Sequence, residues 1–280
     1  MEHQRFPGKG DARRHGAAGS SESCVHRRRP VEGAGALTEG GSKTGYGRLY
    51  GIGVGPGDPE LLTLKAHRIL QQVPLVCVPQ AITSRDSFAL GIVQKFLNLD
   101  AQEVMRIRFP TNNEKGAGEV WRRAACEIAE RLEGGQDAAF ITEGDPMLYS
   151  TFSYVLKSIR ADYPGVPVEI VPGVSSVMAA AASAKAPLVT HGQSLAVLPA
   201  AYGTNGLREA IANHDTVVLM KVNRAMVQAL AELEELGLAG KSVYVKRASM
   251  DSEQIVHDLE RLAEEDLDYF SLLIVRKCLQ

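Results

Sequence analysis

No run of this 280-residue chain approaches the roughly 18 apolar residues that a membrane-spanning helix requires. Cysteine is scarce. Cys24, Cys77, Cys126 and Cys278 stand far apart, with no C-x-x-C pair and no metal-ligand spacing, so reduced thiols and no metal site are expected. A dominant charge is also missing: 31 Lys and Arg against 33 Asp and Glu leave a net charge of −2, which gives no bulk reason to expect nucleic acid. No apolar segment follows the basic residues near the N-terminus, which argues against a secretory signal. These absences point to a soluble, cytoplasmic protein, and 45% hydrophobic residues suffice for one large core or two ordinary ones.

Two nucleotide fingerprints are missing as well. The G-x-G-x-x-G pattern fails from Gly51, whose sixth position is Pro56, and from Gly53, whose sixth position is Asp58. No G-x-x-x-x-G-K-[ST] stretch occurs. The next strand, Leu75–Pro79, ends in Pro-Gln without an acidic residue for a ribose hydroxyl, which argues against the common Rossmann-like methyltransferases.

What is present is a strand–turn–helix unit. Leu49–Pro59 (LYGIGVGPGDP) opens as a buried strand and breaks into glycines and prolines. ELLTLKAHRIL follows with apolar residues at helical spacing, and Asp58-Pro59 is a helix-start signal. Glycine permits positive φ and close approach of backbone to a ligand, and turns of this kind bind small molecules in α/β proteins.

The alternation continues down the chain. Strands are expected at 75–79, 103–109 and 138–142, with helices over 88–97, 119–133 and 148–159 between and after them. Glu143-Gly144-Asp145-Pro146 repeats the Gly-Asp-Pro ending of the first turn. ADYPGVP (161–167) reads as a domain boundary, followed by a strand at 168–171, a Pro172-Gly173 turn and an alanine-rich helix capped by Ser175 or Ser176. Five strand-like segments and one clear helix, 224–236, complete the chain. The reading is α/β with two domains: a parallel sheet in 47–164 and a mixed sheet in 165–280, with a cleft between them. Residues 1–46, with eight Lys/Arg against five Asp/Glu and almost no aliphatic side chains, are expected to be a disordered leader.

GIGVGPGDPELLTLKA, TEGDPMLYSTF, VPGVSSVMAA and YFSLLIVR, in that order, resemble the tetrapyrrole methylase family over about residues 48–277. Within it they most resemble the enzymes that methylate carbon 20 of precorrin-2 or cobalt-factor II on the path to cobalamin. The resemblance implies S-adenosylmethionine folded into the cleft and a homodimer. By motif position it implies a cofactor pocket of Pro56, Glu143, Gly144, Asp145, Leu148, Ser175 and Ser176, with Met220 and Ala248 flanking the adenine. The alternative for Asp145 is to cap the helix that follows it, as Asp-Pro does elsewhere.

A meso carbon of a conjugated tetrapyrrole is already electron-rich, so no protein nucleophile is required. Glu143 and His191 are candidates for a general base, though His191, in the polar loop THGQS, could equally hydrogen-bond locally. The acetate and propionate arms of such a substrate call for guanidinium and ammonium groups. Arg85, Arg106, Arg108, Lys221 and Arg247 are the candidates, with Lys185 and Arg224 beside them. The competing readings are another tetrapyrrole methylase, acting on a different corrin position, uroporphyrinogen, ribosomal RNA or diphthamide, and a nucleotide-binding module without catalysis.

Overall fold

The computed structural model describes residues 45–110, 117–200, 204, 206–222, 225–263 and 266–277, all in one compact unit. The leader expected at 1–46 lies almost wholly outside them, as do Arg224, Cys24 and Cys278.

Five strands build the first sheet: β1 (Leu49–Gly53), β2 (Leu75–Ala81), β3 (Glu103–Phe109), β4 (Ala138–Thr142) and β5 (Val168–Val171). They run in the order β3-β2-β4-β1-β5, every pair parallel. Central strand β4 (AAFIT) is buried at every position, as a strand covered on both faces must be. Helices α1 (Leu64–Leu70) and α2 (Phe88–Val93) cover one face, setting Ile69, Leu70, Leu90 and Val93 against Ile52, Val78 and Ile141. On the other face α3 (Ala117–Leu132) and α4 (Phe152–Asp162) pack Trp121, Ile128, Val155 and Ile159 against Leu49, Cys77 and Phe140. Each large aliphatic side chain buried in this way stabilises the fold by roughly 1.5–3 kcal/mol.

The second sheet contains β6 (Leu195–Pro199), β7 (Thr216–Met220), β8 (Ser242–Lys246), β9 (Gln254–Val256) and β10 (Ser271–Arg276), ordered β6-β7-β10-β8-β9. Only β6–β7 is parallel, so the sheet is mixed, as expected. Its core faces are covered by α6 (Leu207–Asn213) and α7 (Met226–Glu235) on one side and by α5 (Ser176–Ser183) on the other. The small side chains of α5 let it lie close to the sheet, Val177 and Ala180 sharing a cluster with Val218, Val245 and Ile274.

Three details depart from the sequence reading. Asp58 caps only a 3-10 turn, Pro59–Leu61; the α-helix begins at Leu64, where the Thr63 hydroxyl accepts from the Ala66 N–H. β5 pairs with β1, so the first sheet extends past the boundary expected at 164/165. The short helix α6 was not anticipated. Cys77 is a free buried thiol.

Candidate active site

Three turns meet where β1, β4 and β5 end. The Gly144 N–H donates to the Gly55 carbonyl at 2.8 Å, joining the first turn to the second. Gly173, in the third turn, is packed against both. A Cβ at Gly53 would stand 2.5 Å from the Gly144 carbonyl oxygen, and one at Gly173 would stand 2.2 Å from that same oxygen. Backbone contact this close excludes any side chain. Asp145 closes the junction: Oδ1 accepts from the Met147 N–H at 2.8 Å and Oδ2 from the Gly173 N–H at 3.0 Å.

The second sheet faces this junction. Ser249, in the loop after β8, accepts a hydrogen bond from the Asp58 N–H at 3.2 Å, and Met250 packs over Gly57. At a separate point Tyr149 donates its hydroxyl proton to the Val197 carbonyl of β6 at 2.9 Å. Four residues facing or flanking the cleft adopt left-handed backbone without being glycine: Tyr149 (φ 48°), Lys221 (φ 60°), Arg247 (φ 51°) and Ser249 (φ 65°). Such conformations cost about 1–3 kcal/mol each and persist where surrounding structure enforces them.

Glu143 is the electrostatic centre. Water reaches one side of it, yet protein rings it closely, as befits a side chain standing in a cleft. Desolvation pushes its carboxyl up to about 7, and the Lys221 ammonium opposes that shift. Lys221 itself lies over the Tyr269 ring, 5.2 Å from the centroid.

The residues expected to hold a cofactor converge here. Pro56 is buried in the first turn, and Gly144 packs against the backbone of Ser175 and Ser176. Leu148, Met220 and Ala248, far apart in sequence, share one apolar cluster beneath the junction. Ser175 also caps α5, its hydroxyl accepting from the Met178 N–H at 3.4 Å. Backbone amides and carbonyls, two hydroxyls, two carboxylates and an apolar floor form a mixed set that suits a zwitterionic nucleoside thioether.

The basic residues are distributed more widely. Arg106 and Arg108 project from one face of edge strand β3, exposed, and Arg85 is exposed in the loop after β2; none of the three has an ion pair among the described residues. Arg247 is different. Its guanidinium is bound to Asp268 at 2.8 Å, which neutralises the charge expected to meet a substrate. Lys185 is exposed after α5, and His191 lies on an exposed turn whose described hydrogen bonds run between Thr190 and Gln193.

Sequence reasoning missed an adjoining cavity of about 740 Å³ between the Gly57–Pro59 turn, α2 and the Ser249–Asp251 loop. Phe88 and Phe270 stack in its wall with centroids 4.5 Å apart, and Asp58, Asp86 and Asp251 line it. Each lies in a different segment, so no local pattern marks them as neighbours. YFSLLIVR contained Phe270, and GPGDP contained Asp58; Ser249 had no signal at all.

Comparisons with known proteins agree on one relationship. A family model described as tetrapyrrole (corrin/porphyrin) methylases matches residues 48–263. The cobalt-precorrin-2 C(20)-methyltransferase of Salmonella typhimurium is 36% identical over 82% of this chain and 97% of its own length. The precorrin-2 C(20)-methyltransferase of a Sinorhizobium species is 30% identical over 84% and 97%. Among solved structures, the uroporphyrin-III C-methyltransferase of Thermus thermophilus, complexed with S-adenosylhomocysteine, superposes with a TM-score of 0.58 at 28% identity, covering 82% of this chain and 98% of that one.

Proposed function

This chain belongs to the tetrapyrrole (corrin/porphyrin) methylases, and we propose that it transfers a methyl group from S-adenosylmethionine to carbon 20 of precorrin-2 or cobalt-factor II in cobalamin biosynthesis. The observation that carries this reading is similarity over 97% of the length of relatives named for that reaction, at 36% and 30% identity. S-adenosylmethionine, when bound, supplies a methyl group on a sulfonium.

The backbone of the Glu143–Asp145 turn, with Ser175 and Ser176, would hold its polar parts, and Pro56, Leu148, Met220 and Ala248 its apolar ones. Junction backbone this rigid favours alignment, and alignment alone can contribute roughly 7–11 kcal/mol to such a displacement. Arg85, Arg106, Arg108 and Lys221 remain candidates for the carboxylate arms of the substrate, while the Arg247 charge is taken up by Asp268. We read the working form as a cytoplasmic homodimer.

The test is an anaerobic assay with methyl-labelled S-adenosylmethionine, offering precorrin-2 and cobalt-factor II in parallel, with the product read by NMR. Label at carbon 20 is the expected result, and the preferred substrate identifies the pathway. Label at another ring position, or none with either substrate, would overturn the reading.

A further inference from the structure

We propose that Glu143 is the proton acceptor of the reaction, taking up the hydrogen that the substrate's meso carbon loses as it gains a methyl group. The inference rests on the C-methylation reading above and assigns a role that the family relationship leaves open.

The starting observation is a contrast among carboxylates at this end of the fold. Asp145 has both oxygens engaged by backbone N–H groups. Asp58 caps the Glu60 N–H, Asp268 binds Arg247, and Glu253 accepts from the Ser249 N–H. Asp86 and Asp251 stand in exposed loops on the open wall of the cavity. Glu143 alone stands at a strand end beside the three-turn junction with no hydrogen bond or ion pair among the described residues. Its side chain is exposed to solvent, and its backbone is set by the junction, where the next residue's N–H, that of Gly144, donates to the Gly55 carbonyl.

Its surroundings suit the task. A carboxyl pushed up to about 7 is a far better proton acceptor at neutral pH than an ordinary glutamate. Lys221, the charged group that bears on it, favours the ionised form and so keeps a fraction of it ready to accept. Lys221 is held in left-handed backbone at the end of β7, with its N–H donating to the Ser271 carbonyl at 2.8 Å. The two opposed charges thus come from the ends of strands in different sheets.

The bookkeeping of the step closes. The new carbon–carbon bond forms as the methyl–sulfur bond breaks and its electron pair stays on sulfur. Glu143 then takes the meso proton, the carbon–hydrogen pair returns to the conjugated ring, and the neutral acid passes its proton to water in the open cleft. No oxidant or further reactant is needed.

The experiment compares wild type with Glu143→Gln and Glu143→Asp. It measures turnover of precorrin-2, the pH dependence of kcat and the affinity for S-adenosylhomocysteine by calorimetry. Expected are a fall in kcat of about 100-fold or more for the amide and partial recovery for the shorter acid. Affinity for S-adenosylhomocysteine should stay within about threefold, which also shows that the variant is folded. Wild type should lose activity as pH falls through about 7, and the amide should lack that limb. Amide turnover close to wild type, or a loss confined to S-adenosylhomocysteine affinity, would overturn the proposal and make Glu143 a cofactor contact. Wild type that methylates neither tetrapyrrole is a different result, and it refutes the C-methylation reading itself.

Discussion

The Gly173 N–H donates to Asp145 Oδ2 at 3.0 Å, so one side chain ties the turn after β4 to the turn after β5. Asp145 is therefore a structural strap as well as a candidate ligand contact. Asp145→Ala removes the acceptor of two backbone donors, the exposed Met147 N–H and the part-buried Gly173 N–H, and a typical hydrogen bond contributes about 0.5–1.5 kcal/mol. The apo variant should melt several degrees below wild type and bind S-adenosylhomocysteine more weakly. Coincident apo melts would leave Asp145 as a ligand contact only.

The three-turn junction makes a sharper forecast. Gly173→Ala forces a methyl group to within 2.2 Å of the Gly144 oxygen, so the turns must separate. We expect a loss of several kcal/mol or failure to accumulate as folded protein. Gly118→Ala is the control: it lies in α3, a Cβ there meets nothing within 4 Å, and the change should stabilise by about 0.5–1 kcal/mol. Urea melts of both variants decide the matter.

Phe88 and Phe270 hold the cavity wall together across the two sheets. A double-mutant cycle with Phe88→Ala and Phe270→Ala should give a coupling of about 0.5–1.5 kcal/mol. Additive effects would mean that the stack contributes nothing beyond separate burial.

Charge at the cleft can be read from pH profiles. Lys221 lowers the Glu143 carboxyl pKa, so Lys221→Met should move the acid limb of kcat to higher pH. Stability responds in a related way. Folding raises this carboxyl from 4.5 to about 7, so its contribution is fully present below about 4.5 and is lost as pH rises toward 7. At pH 8 the Glu143→Gln protein should therefore melt above wild type, while at pH 4 the two should coincide.

Much of this was legible in the sequence. The alternation of strands and helices, the glycine turns and the segments bearing Leu148, Met220 and Ala248 could be read from pattern and resemblance. What failed was choice of partner. VEIV at 168–171 has strand propensity, but nothing in it says that it joins β1 rather than the second sheet. Asp58-Pro59 reads as a helix start because both residues favour one, yet Thr63, five positions on, also caps, and tertiary contacts with Ser249 keep the intervening turn separate. Arg247 resembled a free cation because its counter-ion, Asp268, lies 21 residues away on the other side of a loop. The Glu143 carboxyl had a motif but no environment until both sheets were in place.

The interior position of β1, between β4 and β5, shapes how the protein is made. Its two pairing partners, β4 and β5, lie roughly 90 and 120 residues downstream. During synthesis the apolar segment LYGIG leaves the ribosome early and waits, unpaired, while roughly 90 further residues are added before β4, and only half-paired until β5 follows. Nascent chains halted before β5 should be cut readily by protease near β1, and those carrying β5 clear of the ribosome should resist. The interval between those two points is when this chain most needs a chaperone, and shortening it by circular permutation would be a direct route to better expression.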